Sequence, residues 1–122
     1  MSRHLTVGRQ GEDLAAAYLA KQGYRLVERN VRTRYGEIDI ILLDGDVVVF
    51  VEVKARSSEA FGAPSEAVGP EKMRRLSKAA QSFLAQKAWE DRLARFDVVS
   101  VNFDGPNSRL EHLADAFDLV TG

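Results

Sequence analysis

The sequence predicts an α/β domain in which helices flank a mixed sheet of about five strands. Two observations predict this class. Apolar patterns along the chain occur in the order helix, three strands, helix, strand and a short last strand. The stretch GEIDIILLDGDVVVFVEVKAR, from Gly36 to Arg56, reads as a β-hairpin because Ile- and Val-rich runs flank a turn dipeptide. The length of 122 residues, 45% of them hydrophobic, fits a single domain spanning residues 1–122.

The first two elements are a helix and a strand. A helix is predicted from about Val7 to Gln22, because apolar residues recur at helical spacing and Gly23 supplies a stop. Gly8, Gly11 and Ala15 lie along one side of this helix and allow a close backbone approach. The strand that follows is marked by Tyr24, Leu26 and Val31.

The predicted hairpin closes at Asp44-Gly45, a dipeptide that tolerates positive φ. Side chains alternate between faces along a strand. This alternation places Glu37, Asp39, Ile41 and Leu43 on one face of the first strand, and Val48, Phe50, Glu52 and Lys54 on one face of the second.

The second half of the chain begins with SSEAFGAPSEAVG, which predicts a long loop that acts as a substrate-contacting flap or as a plain connector. Pro70 opens a second helix with a buried stripe of Met73, Leu76, Ala80, Phe83 and Leu84. A strand follows from Ala94 to Phe103. RLEHLADAFDLV predicts a short edge strand followed by a turn or half-turn of helix.

Composition excludes several classes of protein. There is no cysteine, so disulfides and thiolate metal sites are excluded. His4 and His112 each stand alone in their segment, which argues against a histidine metal site or triad and predicts structural or surface roles for both. No apolar run is long enough for a membrane span or a secretory signal, which predicts a cytoplasmic protein without a membrane partner. The net charge of -1 conceals an excess of four positive charges within residues 1–36.

Charged residues inside the apolar hairpin are the main functional signal. Asp39, Glu52 and Lys54 converge at the open end of the hairpin, where an isolated charge is costly. Two carboxylates, with the backbone carbonyl of Val53 as a further ligand, suit Mg²⁺ or Mn²⁺. Such an ion activates a phosphodiester and its attacking water, and Lys54 could orient that water. The alternative is a structural ion pair of Lys54 with Glu52 or Asp39.

These residues carry a resemblance to a known family. GEIDII followed by VFVEVKAR resembles the active-site signature of the PD-(D/E)XK nuclease superfamily, and with the GRQGEDLAAAYLAKQGYRLVERNVR segment it looks most like the bacterial YraN-type family. That family is similar to archaeal Holliday-junction resolvases. Ile38 stands where the superfamily name has proline.

The resemblance implies a restriction-endonuclease-like three-layer fold and a metal-dependent endodeoxyribonuclease. Its substrate would be branched or single-stranded DNA in recombination or repair, and a homodimer is one expected assembly. Asp39 and Glu52 would be metal ligands and Lys54 the catalytic lysine. Glu12 would be a third active-site acid, whereas helical position alone also fits an exposed first-turn acid.

Basic residues that flank the hairpin in sequence or lie on the second predicted helix are candidates for DNA contacts: Arg32, Arg34, Arg56, Lys72 and Arg75. Arg32 and Arg34 would grip phosphates or act as solvated edge charges. The resemblance favours DNA contact for Lys72 and Arg75, which otherwise fit a solvated helix face. Tyr35 either stacks on a base or packs. Two other functions remain open: a nucleic-acid-binding accessory protein that does not cut, and a partner-binding module with a surface ion-pair network.

Overall fold

The structure, a computed structural model, describes residues 7–57 and 68–118. Within these ranges the elements are α1 (Val7–Lys21), β1 (Arg25–Thr33), β2 (Gly36–Asp44), β3 (Val47–Ser57), α2 (Pro70–Lys87), β4 (Ala94–Asp104) and β5 (Asn107–Phe117). The strands form one sheet in the order β1-β2-β3-β4-β5. Neighbours pair antiparallel except β3 and β4, which are parallel, so the predicted mixed sheet is confirmed.

The two helices cover opposite faces of the sheet. One apolar cluster joins α1 to the sheet and contains Ala15, Leu19, Ile40, Val49, Val51 and Val99. The other joins α2 to the sheet and contains Ile41, Phe50, Leu76, Phe83 and Phe96. This arrangement of helix, sheet and helix confirms the predicted three layers. Neither described helix is long and apolar enough to cross a membrane.

Helix α1 lies unusually close to β3. A Cβ added at Gly11 would clash with the Cβ of Ala55, so only glycine permits this approach. Gly11 is the predicted close contact, and it precedes Glu12, whose side chain is therefore brought against the sheet. Gly23 follows the helix at a φ of +95°, as the predicted stop requires.

The turn between β2 and β3 differs by one residue from the prediction. Asp44 pairs with Val47, so the turn is Gly45-Asp46 and not Asp44-Gly45. Gly45 takes a φ of +62° at the first turn position. This register pairs Leu43 with Val48, whereas the predicted turn would have set Leu43 opposite Asp46. Apolar pairing across the strands therefore decided the position of the turn.

The C-terminal region also differs from the sequence prediction. β5 is an edge strand as predicted, but it continues for 11 residues to Phe117 and leaves no room for a half-turn of helix before residue 118. Its pairing with β4 explains the extension, since Phe117 still pairs with Phe96 beyond a register shift. The predicted loop runs from Ser57 to Gly69, and its residues 58–67 lie outside the described residues. At its start, Ser57 still belongs to β3.

A buried carboxylate holds the β4–β5 corner. Asp97 is fully buried and accepts hydrogen bonds from Arg95 Nε at 3.0 Å and from the Asp115 amide at 2.9 Å. His112 Nε2 lies 2.7 Å from the other Asp97 oxygen, which gives His112 the structural role expected for it. Arg95 also bonds Asp44, and these carboxylates raise its pKa.

We predict that Asp97→Ala lowers the free energy of unfolding by about 3 kcal/mol, because the Asp115 amide and His112 lose this partner and Arg95 is left with Asp44 and Tyr24. Urea unfolding monitored by circular dichroism measures this loss. Asp91→Ala removes an exposed acid and should stay within about 0.5 kcal/mol of the wild type. Equal values for the two variants would contradict the prediction.

Candidate functional site

Asp39 occupies the point at which β2 and β3 stop pairing. The antiparallel pairs run from Asp44 with Val47 to Ile40 with Val51, and extending this register by one residue aligns Asp39 with Glu52. At that point Asp39 Oδ2 accepts a hydrogen bond of 2.8 Å from the Val53 amide. A side-chain oxygen thus binds the β3 backbone beyond the last pair.

The regular alternation of β2 is interrupted at the same place. Ile38 and Ile41 belong to one apolar cluster on the α2 face, although their spacing of three would place them on opposite faces of a regular strand. The predicted shared face of Glu37, Asp39, Ile41 and Leu43 therefore does not hold along the whole strand. The irregularity lies around Asp39, which is half-buried at this point of the sheet.

Glu52 lies beside Asp39 and is 6% exposed. Burial, and then the charge of Glu52, raise the pKa of Asp39 to about 7, against the opposing effect of the Val53 amide. Glu12 adds a smaller contribution in the same direction. The two predicted acids are therefore brought together, and the Asp39 carboxyl holds its proton more tightly than a free carboxyl does.

Lys72 of α2 supplies a positive charge to this pair. Its Nζ forms an ion pair with Glu52 Oε2. Lys54 is half-buried nearby, and burial followed by the charge of Lys72 lowers the pKa of Lys54. Among the described residues the ion pair of Glu52 is therefore with Lys72, and the alternative pairing of Lys54 with Glu52 is not the one formed.

Glu12 is buried, so the interpretation as an exposed first-turn acid is wrong. Its Oε1 accepts hydrogen bonds from Arg29 Nε at 3.0 Å, from Arg29 Nη2 at 2.7 Å and from Asn30 Nδ2 at 2.9 Å. Arg29 also binds Asp13 at 2.6 Å. Arg29 is thus engaged in holding helix α1, and its contact to the acid was not predicted.

Asn30 has an unusual backbone conformation that aims its side chain. Its φ is +54°, in the left-handed region where asparagine is among the residues best tolerated. No pattern in the sequence identifies this residue, since its partner Glu12 lies on the preceding helix. Because Asn30 binds Glu12, its left-handed backbone conformation is part of the candidate site.

Two clefts meet at Asp39 and Glu37. The acid cleft has a volume of about 230 Å³ and is lined by Tyr35, Glu52, Lys72, Arg75 and Ala79 among others. The Glu12 cleft, of about 300 Å³, is lined by Gly8, Arg9, Glu12, Asn30 and Val53. Because Glu37 and Asp39 line both, the Asp39 carboxylate is reached from either side.

The remaining predicted residues surround these clefts. Lys72 and Arg75 line the acid cleft, and Arg56 is half-buried on β3, where its charge contributes to the lowered pKa of Lys54. Arg32 is exposed, with its Nε 3.6 Å from Glu37. Arg34 lies in the β1–β2 turn and lines a different cleft.

The donor set suits a hard divalent cation with a partly hydrated shell. Within residues 7–57 and 68–118 no three or more acids and histidines are grouped so that they could hold a metal ion. The adjacent carboxylates of Asp39 and Glu52 supply oxygen donors only. A cation between them would relieve the repulsion by Glu52 that, after burial, raises the pKa of Asp39. Mg²⁺ commonly takes one or two carboxylates and keeps several waters. The pair therefore fits Mg²⁺ or Mn²⁺.

Comparisons with known proteins find one family. The profile described as "Uncharacterised protein family UPF0102" matches residues 11–101, which include Glu12, Asp39, Glu52 and Lys54. A UPF0102 protein of Syntrophus aciditrophicus is 49% identical over 122 residues, which cover 100% of this chain and 96% of that relative. A UPF0102 protein of Geobacter metallireducens is 48% identical over 98% and 99% of the two chains. One of Rhodococcus opacus is 44% identical over 96% and 100%.

We predict that Asp39→Asn stabilises the metal-free protein at about pH 8 and changes it little at about pH 4. The raised pKa means that Asp39 contributes stability below about 4, and that this contribution is lost as the pH rises through about 7. The expected gain at about pH 8 is on the order of 2 kcal/mol. Urea unfolding in EDTA measures it. Asp104→Asn, an exposed acid, should show no such dependence.

Proposed function

This chain belongs to the uncharacterised protein family UPF0102, and we propose that it is a Mg²⁺- or Mn²⁺-dependent endodeoxyribonuclease that hydrolyses DNA phosphodiester bonds. The observation that carries the proposal is the pairing of Asp39 with Glu52 in a cleft that also contains Lys72 and Arg75. A bound cation would lower the free-energy cost of holding two acids together, and basic residues beside them attract phosphate. The same cleft thus combines acids that could hold a metal ion with basic residues that could bind the phosphate.

Asp39 and Glu52 would hold the metal ion, with the main-chain carbonyl of Val53 as a further ligand. When bound, such an ion polarises a phosphodiester and lowers the pKa of a coordinated water. The hydrogen bond from the Val53 amide fixes the orientation of the Asp39 carboxylate. A ligand fixed in this way loses little conformational freedom when it binds a cation.

Lys54 would act on the reacting phosphate. It follows Glu52 by two residues on β3, so both side chains point to the same side of the strand. Its positive charge offsets the negative charge that develops on the phosphate oxygens in the transition state, or orients the attacking water. Partial burial strengthens this effect, because fewer waters screen the ammonium.

Glu12 would support the site from the α1 side. Arg29 and Asn30 bind the same oxygen of Glu12, so the carboxylate is held against the cleft that also contains Asp39 and Val53. Its negative charge adds to the field that attracts a cation. Arg75 and Lys72 would contact the DNA backbone from α2, and Arg32, Arg34 and Arg56 would extend the contact along the strand ends.

A second function is favoured by one specific observation. The ion pair between Lys72 and Glu52 already neutralises one acid without any metal. A protein of this architecture that binds nucleic acid but does not cut would use such a pair in place of the cation. It would bind DNA with a salt-dependent affinity and would show no metal-dependent cleavage.

Cleavage assays separate the two functions. We predict that the wild type cuts at least one of labelled single-stranded, duplex, flapped and four-way-junction DNA in Mg²⁺ or Mn²⁺, and none in EDTA. Glu52→Gln and Lys54→Ala should reduce the rate by about 100-fold or more. Glu90→Gln, an exposed acid after α2, is the matched control and should retain full activity. Salt-dependent binding without cleavage would instead support the accessory protein.

Metal affinity tests the role of Lys72. We predict that Lys72→Ala tightens Mn²⁺ binding by about fivefold, because the lysine no longer competes for Glu52. Isothermal titration calorimetry without DNA measures the affinity. Lys78→Ala removes an exposed lysine further along the same helix and should leave it unchanged. Unchanged Mn²⁺ affinity in both variants would argue against a cation site at Glu52.

A further inference from the structure

Tyr35 forms a fixed aromatic platform in the turn between β1 and β2. Thr33 and Gly36 pair across this turn, and the Thr33 hydroxyl donates to the Gly36 carbonyl at 2.9 Å. The same hydroxyl accepts a hydrogen bond of 3.1 Å from the Tyr35 amide. The backbone that carries the ring is therefore held in place before any ligand binds.

The ring is exposed and lies among cations. Tyr35 is 37% exposed, so it is not a core residue. The Arg34 guanidinium carbon lies 5.5 Å from the ring centroid, and Lys78 Nζ of α2 lies 5.9 Å from it. An accessible ring accompanied by positive charges is the combination that binds single-stranded nucleic acid, in which bases stack on aromatic rings while cations contact phosphates.

Tyr35 also stands between the acid cleft and a neighbouring one. The neighbouring Tyr35 cleft, of about 480 Å³, is lined by Arg34, Tyr35, Lys78, Gln81 and Ser82. Tyr35 lines both clefts, so a strand of DNA that extends from the acids into the second cleft would pass Tyr35. Lys72, Arg75 and Lys78 follow this direction at every third position of α2.

We propose that the Tyr35 cleft binds an unpaired nucleotide of DNA adjacent to the phosphodiester held at the acids. Its base stacks on Tyr35, its phosphate contacts Lys78 and Arg34, and Gln81 and Ser82 offer hydrogen bonds to the base edge. The nucleotide must be unpaired, because the faces of bases inside a duplex are covered by their neighbours. This inference rests on the proposed nuclease function for what the acids do, and it adds the substrate class.

Exchange of contacts makes room for the base. A cation over an exposed ring is held more weakly than a stacked base, so the base replaces Lys78 on the ring. The Lys78 side chain, displaced from the ring, still lines the same cleft from α2, so its ammonium can contact the phosphate. Arg34 and Lys78 thus lie over the Tyr35 ring on which the base would stack.

Binding measurements in EDTA test the inference without any cleavage. Fluorescence anisotropy compares a labelled oligo(dT) with a duplex of the same length, for the wild type, Tyr35→Ala and Tyr35→Phe. Tyr35→Ala should weaken oligo(dT) binding by about tenfold and duplex binding by less than about twofold. Tyr35→Phe keeps the ring and should bind as the wild type does. Leu93→Ala is the control: it removes another exposed apolar side chain, at the other end of the sheet, and should leave both affinities unchanged.

Each outcome bears on the inference. An abasic oligonucleotide should bind to the wild type as weakly as oligo(dT) binds to Tyr35→Ala. Equal losses for oligo(dT) and duplex would overturn base stacking, and so would an unchanged affinity in Tyr35→Ala. Preference of the wild type for oligo(rU) over oligo(dT) would overturn the assignment to DNA. Failure of the cleavage assay leaves these binding results intact, so the two proposals fail separately.

Discussion

The hydrogen bond between the Asp39 carboxylate and the Val53 amide is the constraint on which the site depends. It forms where β2 and β3 cease to pair, and it ties the two strands together beyond their last backbone pair. Because the strands end their pairing there, Asp39 is open to both clefts and lies beside Glu52. A regular hairpin would have directed the carboxylate to one face only.

The cost of the acid pair is offset elsewhere in the sheet. Two adjacent carboxylates in a partly buried setting destabilise the fold unless a proton or a cation joins them. The two apolar clusters on the faces of the sheet, together with the hydrogen-bonded Asp97, stabilise the fold and offset this destabilisation. Asp97 is surrounded by donors, namely Arg95, His112 and the Asp115 amide, whereas Asp39 has another carboxylate, Glu52, beside it.

Local patterns predicted most of the fold, whereas contacts between distant residues were not predictable. Helical spacing located α1 and α2, and the run of Ile and Val located the hairpin, because these signals lie within one element. The hairpin turn was misplaced by one residue because pairing across the strands decides it. Of the site, Asp39 and Glu52 could be paired from strand geometry. Lys72 and Arg29 approach Glu52 and Glu12 from other elements, so no local pattern predicts these two contacts.

The parallel pairing of β3 with β4 has a consequence for the order of folding. The β2–β3 hairpin closes across the two turn residues Gly45 and Asp46. β3 and β4 pair in parallel, so their pairing must close a much longer loop that contains α2. Short loops close sooner than long ones. We expect Asp39 and Glu52 to meet in the early hairpin and Lys72 to reach them only when α2 docks. Charge on the acid pair would then influence how fast the second half of the chain assembles.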